Sequence, residues 1–144
     1  MADITHRSVT LDRIDTGVYR ATNARGATLE FGSNAGEGFT PVELLLAAIG
    51  GCSAVDVDVV TGRRTRPDGF EVVVEADTVR DEGGNRLQDI TMTFSVTFPE
   101  GEAGDSARDV LPRAVRTSHD RTCTVSRTIE AGTPVRVVIA DGTG

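Results

Sequence analysis

Polar and apolar residues alternate in three short runs near the start of the chain, and alternation with a period of two marks a strand with one face on a core. Ser8 to Ile14 places Val9 and Leu11 on one side, Val18 to Thr22 follows Gly17, and Ala27 to Phe31 follows the turn formers Asn23-Ala24-Arg25-Gly26. These runs predict an antiparallel meander. A loop of small and polar residues, Ser33-Asn34-Ala35-Gly36-Glu37-Gly38, separates it from a different pattern. Thr40 as N-cap, Pro41 at the first helical position and Glu43 three residues past the cap form a capping box. From Leu44 to Val60 apolar residues then run nearly all round the helical cylinder. Such a helix is expected to be buried on several sides, at the centre of the fold or at a subunit interface.

Arg63-Arg64-Thr65-Arg66-Pro67-Asp68-Gly69 ends that helix with basic residues, proline and glycine. Phe70 to Thr78 alternates again, with Phe70, Val72, Val74 and Ala76 on one face. After the turn Gly83-Gly84-Asn85, the apolar residues Ile90, Met92, Phe94, Val96 and Phe98 alternate with Thr91, Thr93, Ser95 and Thr97. Asp105 or Ser106 is expected to cap a second helix carrying Ala107, Val110, Leu111, Ala114 and Val115, kinked or restarted at Pro112. A short helical piece from Arg121 to Ile129 is expected to carry Cys123, and Pro134 to Ala140 to form a last strand. Strands, helix, strands, helix, strand predict an α+β fold, and 144 residues without an internal repeat predict a single domain over 1–144.

Charge narrows the function classes. Fifteen basic against twenty-two acidic residues give a formal charge of -7, with the signs interleaved along the chain, so nucleic acid is a poor partner. No run of about 18 apolar residues is free of charges, and the first residues lack the basic start and apolar stretch of a signal peptide. No membrane partner and a cytoplasmic location are therefore expected. In that compartment thiols stay reduced, and the only two cysteines, Cys52 and Cys123, read as transient or catalytic rather than as a permanent cross-link. With only His6 and His119 beside them, no metal site is expected. Gly50 and Gly51 leave the helix surface bare just before Cys52, so another backbone or a substrate can approach closely there.

Pro41-Val42-Glu43-Leu44-Leu45-Leu46-Ala47-Ala48-Ile49-Gly50-Gly51-Cys52, together with Ser118-His119-Asp120-Arg121-Thr122-Cys123-Thr124-Val125-Ser126, resembles the two motifs of the OsmC/Ohr family of osmotically inducible and organic hydroperoxide resistance proteins. The likeness covers nearly the whole chain. It implies antiparallel sheets wrapped around central helices in an intertwined homodimer, with active sites at the dimer interface. It also implies that Cys52 is the peroxidatic thiol and that Cys123 resolves it. The substrate would be an organic hydroperoxide, the reductant an external dithiol such as dihydrolipoamide, and no bound cofactor is required.

The chain departs from the family's pattern just after the motif proline. Peroxidases of the family usually carry an acidic residue directly after it; here that residue is Val42, and the carboxylate stands one place on. Glu43 is thus open to two readings, a catalytic carboxylate or the closure of the capping box, and a rotation of about 100° between neighbouring helical positions favours the second. The arginine expected to hold Cys52 as thiolate is Arg13, Arg20 or Arg25. Strand alternation puts Arg13 on the face of Val9 and Leu11, Arg20 opposite Tyr19 and Ala21, and Arg25 in a turn, so Arg13 is the choice.

Neighbouring groups have plainer readings. Asp56, one turn after Cys52, would raise the thiol pKa if unpaired and is expected to hold an arginine in a structural ion pair or to point away. His119 is open to a proton-shuttling or a helix-capping role, and Arg121 and Arg127 read as solvated surface residues. The rival to a peroxidase is a non-catalytic dimer of the same fold that binds an apolar small molecule or senses oxidants, with Cys52 as a packing residue.

Overall fold

A computed structural model describes residues 2–33 and 38–140, so Asn34 to Glu37 of the expected loop lie outside the described residues. The chain divides into two compact units, Met1–Ala47 and Ala48–Gly144. The first holds the expected meander as β1 (Val9–Asp15), β2 (Val18–Asn23) and β3 (Thr28–Gly32), in that order across an antiparallel sheet. Asn23 shapes the second turn: its side-chain oxygen accepts the backbone N–H groups of Arg25 and Ala27, each at 3.0 Å, and Gly26 takes φ +90°.

Register sorts the two faces of this sheet. Arg13 pairs with Tyr19 and Tyr19 with Phe31, while Leu11, Ala21 and Leu29 align beside them. The Tyr19 and Phe31 rings stack at 5.9 Å, and Phe31 is buried. The opposite face aligns Asp12, Arg20 and Glu30. Arg13 therefore lies on the apolar face, as the alternation predicts, and Arg20 on the polar one.

Helix α1 (Pro41–Gly62) starts where the capping box places it. Glu43 Oε1 accepts the Thr40 N–H at 2.9 Å, and Thr40 Oγ1 accepts the Glu43 N–H at 3.3 Å. Burial follows one stripe, Ile49, Gly50, Ser53, Val57 and Thr61, and the opposite positions Val55 and Val59 remain 65% and 55% exposed. The expected burial on several sides is thus not met within one chain. By length and composition α1 is able to cross a membrane, although Glu43, Asp56 and Asp58 interrupt its apolar run. Its buried stripe includes hydroxyls with partners in the protein, as in the core helix of a water-soluble domain.

In the second unit, β4 (Gly69–Asp81) and β5 (Gly84–Thr97) form an antiparallel ribbon. Phe70, Val72 and Val74 face Val96, Phe94 and Met92 on one side, and the Phe70 and Phe94 rings meet edge to face at 6.2 Å. Beyond Glu75–Thr91 two residues, Asp89 and Ile90, oppose Ala76, which makes a bulge with Asp89 at φ 53°. Gly50 seats α1 on this ribbon: a Cβ there would stand 2.7 Å from Val74 Cγ2, whereas Gly51 faces open space. The bare helix surface is thus divided between a packing contact and an accessible one.

Helix α2 (Glu102–Thr117) begins earlier than its side chains suggest. The N-cap is Gly101, at φ 110° and without a side-chain bond, in place of Asp105 or Ser106. Gly104 explains the shift, because a Cβ there would collide with the Pro99 carbonyl, and Arg108 Nη2 ties the same carbonyl at 3.0 Å. The helix continues through Pro112 without a restart. A π-helical turn, η1 (Ser118–Thr122), then leads to α3 (Thr124–Glu130). Cys123 is extended between them as the N-cap of α3, not a member of a helix. The expected last strand is absent: residues 133–140 have no regular structure, and Val135, Val137, Val138 and Ile139 are exposed. Alternation marks which residues share a face without by itself making a strand.

Candidate functional site

Cys52 and Cys123 meet in the second unit. α1 presents Cys52 about three turns from its start, and the π turn ending in the 2.7 Å bond from the Cys123 N–H to the Ser118 carbonyl brings up Cys123. The two thiols lie near enough to shift each other's titration. Cys52 is half-buried and Cys123 has no exposed surface. Both are free thiols.

Their acidities diverge. Burial pushes the Cys52 thiol above its ordinary value, helped by the neighbouring Cys123 and opposed by the Val125 and Thr124 N–H groups. Burial also acts against the Cys123 thiolate, but hydrogen bonds from the Ser126 and Ser53 hydroxyls and the Ser126 N–H outweigh it, so Cys123 is the more acidic thiol. Ser126 Oγ and N lie 3.3 and 3.4 Å from Cys123 Sγ. Access favours the other thiol, because Cys52 keeps exposed surface and Cys123 has none.

Asp56 occupies the helix face of Cys52, yet its partners are hydroxyls. Ser118 Oγ and Thr122 Oγ1 both donate to Asp56 Oδ2 at 2.8 Å, where an arginine was expected. Ser118 Oγ also lies 3.3 Å from Ser53 Oγ, which completes a polar cluster around Cys123. Ser53, Ser118, Thr122 and Ser126 have no counterpart among the sequence-predicted site residues. One clue exists in the pattern, since Ser53 and Asp56 are three apart on one helix and Ser126 is three past Cys123, the spacing of a cap. The π turn that gathers them has no such local mark.

Arg13 Nη2 holds the Thr16 hydroxyl at 3.2 Å in the first unit. Arg20 is engaged by Glu30 at 2.9 Å, a cross-strand ion pair, and Arg25 stays in its exposed turn. Glu43 closes the capping box.

His119 bridges two carboxylates, Asp120 at 2.8 Å and Glu130 at 3.0 Å, rather than capping a helix carbonyl. Hydrogen bonds to Asp120 and then Glu130 raise its pKa above the ordinary histidine value. Because the folded value exceeds the unfolded one, the bridge contributes its full stabilisation below about pH 6.5 and loses it as pH rises through the raised value. Glu130→Gln is expected to lower the His119 midpoint in an NMR titration; an unchanged midpoint would deny the bridge. His119 and Glu130 also line a cleft of about 280 Å³ whose apolar wall includes Ile49, Met92, Val115 and Ile129, and Ser126 joins that wall to Cys123.

Comparison with known proteins agrees with this α+β scaffold. The family described as OsmC-like protein matches residues 33–138. An uncharacterized protein of Mycobacterium tuberculosis is 31% identical over 134 residues, covering 91% of this chain and 94% of its own. Among solved structures, a hypothetical protein from Aquifex aeolicus superposes with a TM-score of 0.70 at 20% identity, covering 92% of this chain and 93% of that one. The organic hydroperoxide resistance protein of Bacillus subtilis shares the fold with a TM-score of 0.57 at 18% identity, over 86% and 90% of the two chains. With its two cysteine motifs inside the matched span, the chain belongs to the OsmC-like protein family.

Proposed function

We propose that this protein is a thiol-dependent peroxidase for organic hydroperoxides, working through Cys52 and Cys123. The observation that carries this reading is the nearness of a half-buried thiol to a fully buried one. Cys52 thiolate attacks one peroxide oxygen, the O–O bond breaks, and the alkoxide leaves to be protonated as the alcohol, which leaves Cys52 as a sulfenic acid. Cys123 attacks that sulfur and expels water, and an external dithiol of the dihydrolipoamide kind reduces the resulting disulfide. The apolar wall of the neighbouring cleft favours an alkyl chain over hydrogen peroxide.

In this reading a cation offsets the raised pKa of Cys52, and Arg13 is the residue we assign. Glu43 keeps its capping role. A homodimer belongs to the same reading, since one chain leaves apolar faces uncovered at Leu11, Leu29, Val55 and Val59. Sedimentation at micromolar concentration is expected to give a dimer; a well-folded monomer would overturn that part. The reductive chemistry fits a cytoplasmic setting.

The raised Cys52 pKa also supports a second reading, a non-catalytic dimer that binds an apolar molecule or senses oxidants. Turnover separates the two. Cumene hydroperoxide with dihydrolipoamide is expected to be consumed catalytically, faster than with other dithiols, and a chain that consumes none while Cys52 resists alkylation is a binding protein.

A further inference from the structure

The cleft next to Cys123 joins an apolar wall to an acidic rim. Ile49 of α1, Met92 of β5, Val115 of α2 and Ile129 of α3 supply the wall, and a volume of about 280 Å³ suits one small organic group. Ser126 also lines the cleft, with its hydroxyl 3.3 Å from the Cys123 sulfur. The charged groups of the lining are His119 and Glu130, without an arginine. A protonated imidazole offers two N–H donors to an anion. Here both are already taken, since Nδ1 lies 2.8 Å from Asp120 and Nε2 lies 3.0 Å from Glu130 Oε1. Glu130 Oε2 has no hydrogen-bond partner among the described residues.

Two carboxylates around one imidazole leave this rim net negative, whether or not the ring carries its second proton. A ligand's carboxylate placed there meets like charge and no free imidazole N–H, whereas an uncharged organic group meets the apolar wall at no such cost. Taking the peroxidase reading for the reacting group, we propose that the cleft admits hydroperoxides whose organic part is uncharged and rejects those bearing a free carboxylate, with Glu130 as the residue that sets the selection. The His119 and Glu130 side chains are 46% and 61% exposed, so solvent screens the repulsion and the expected discrimination is about tenfold. Asp120 holds the same imidazole but lies outside the lining, which separates a charge in the cleft from a charge merely near it.

Binding is measured apart from chemistry, by calorimetry on the reduced protein with two unreactive compounds of one carbon skeleton, 4-isopropylbenzyl alcohol and 4-isopropylbenzoate. The alcohol is expected to bind about tenfold more tightly and to shift the NMR methyl signals of Met92 and Ile129. Glu130→Gln is expected to remove most of the preference, Glu130→Arg to reverse it, and Asp120→Asn to keep most of it, although Asp120→Asn changes the net charge as much as Glu130→Gln does. A bridge that only held α3 in place would not give a reversal of preference. Stopped flow with cumene hydroperoxide and its para-carboxylate is expected to show the same order in the rate of peroxide reduction. Equal affinity of the parent for the two compounds, binding of neither, or equal loss of preference in Glu130→Gln and Asp120→Asn would overturn the selection. Should Glu130→Gln not fold, Glu130→Arg decides. If the alcohol is preferred as expected and neither hydroperoxide is reduced, the peroxidase reading fails while the selection stands as the ligand preference of a binding protein.

Discussion

Cys123→Ser is expected to reduce a single equivalent of cumene hydroperoxide and then stop. The reachable thiol is intact in this variant, so the first oxidation proceeds, but no second sulfur lies beside Cys52 to expel water from its sulfenic acid. Serine is itself a favoured N-cap, so α3 keeps its first turn and a failure to recycle is not a folding defect. Dimedone added after the first equivalent should label Cys52, visible as an adduct in the intact mass. Undiminished multiple turnover with dithiols would remove Cys123 from the mechanism.

Arg13→Ala is expected to slow peroxide reduction by about a hundredfold or more, the scale of losing one charged donor to the transition state, and to raise the Cys52 pKa further. The expectation rests on the sheet register, which sets Arg13 beside Tyr19 on the apolar face. Arg20→Ala breaks only the ion pair with Glu30, and Arg25→Ala only alters an exposed turn, so both should stay near the parent rate. Rates are read in stopped flow against cumene hydroperoxide. Equal, small effects from Arg13→Ala and Arg25→Ala would sink the assignment, and a large effect confined to Arg20→Ala would move the role to the polar face.

Much of the scaffold was legible in the sequence because local chemistry decided it. The meander, the capping box at Thr40 and Glu43, and the alternation of Phe70–Val74 against Met92–Val96 each depend on neighbours two to four residues away. Where distant contacts decided, the local pattern misled. Gly104 against the Pro99 carbonyl moved the start of α2 forward, and the exposed segment from Pro134 shows that alternation alone does not make a strand. The motifs located both thiols, but not the serines around them. Ser53 and Ser118 are 65 residues apart, and only the π turn after α2 brings them together. The same turn replaced the arginine expected at Asp56 with two hydroxyls.

The central claim is that the Cys52–Cys123 pair is the redox centre for organic hydroperoxides. Its most direct test is peptide mapping of the reduced protein after one equivalent of cumene hydroperoxide, with free thiols blocked on quenching. The account predicts a Cys52–Cys123 disulfide formed at the expense of the peroxide and reversed by dihydrolipoamide. Two blocked, unoxidised cysteines beside unconsumed peroxide would contradict it.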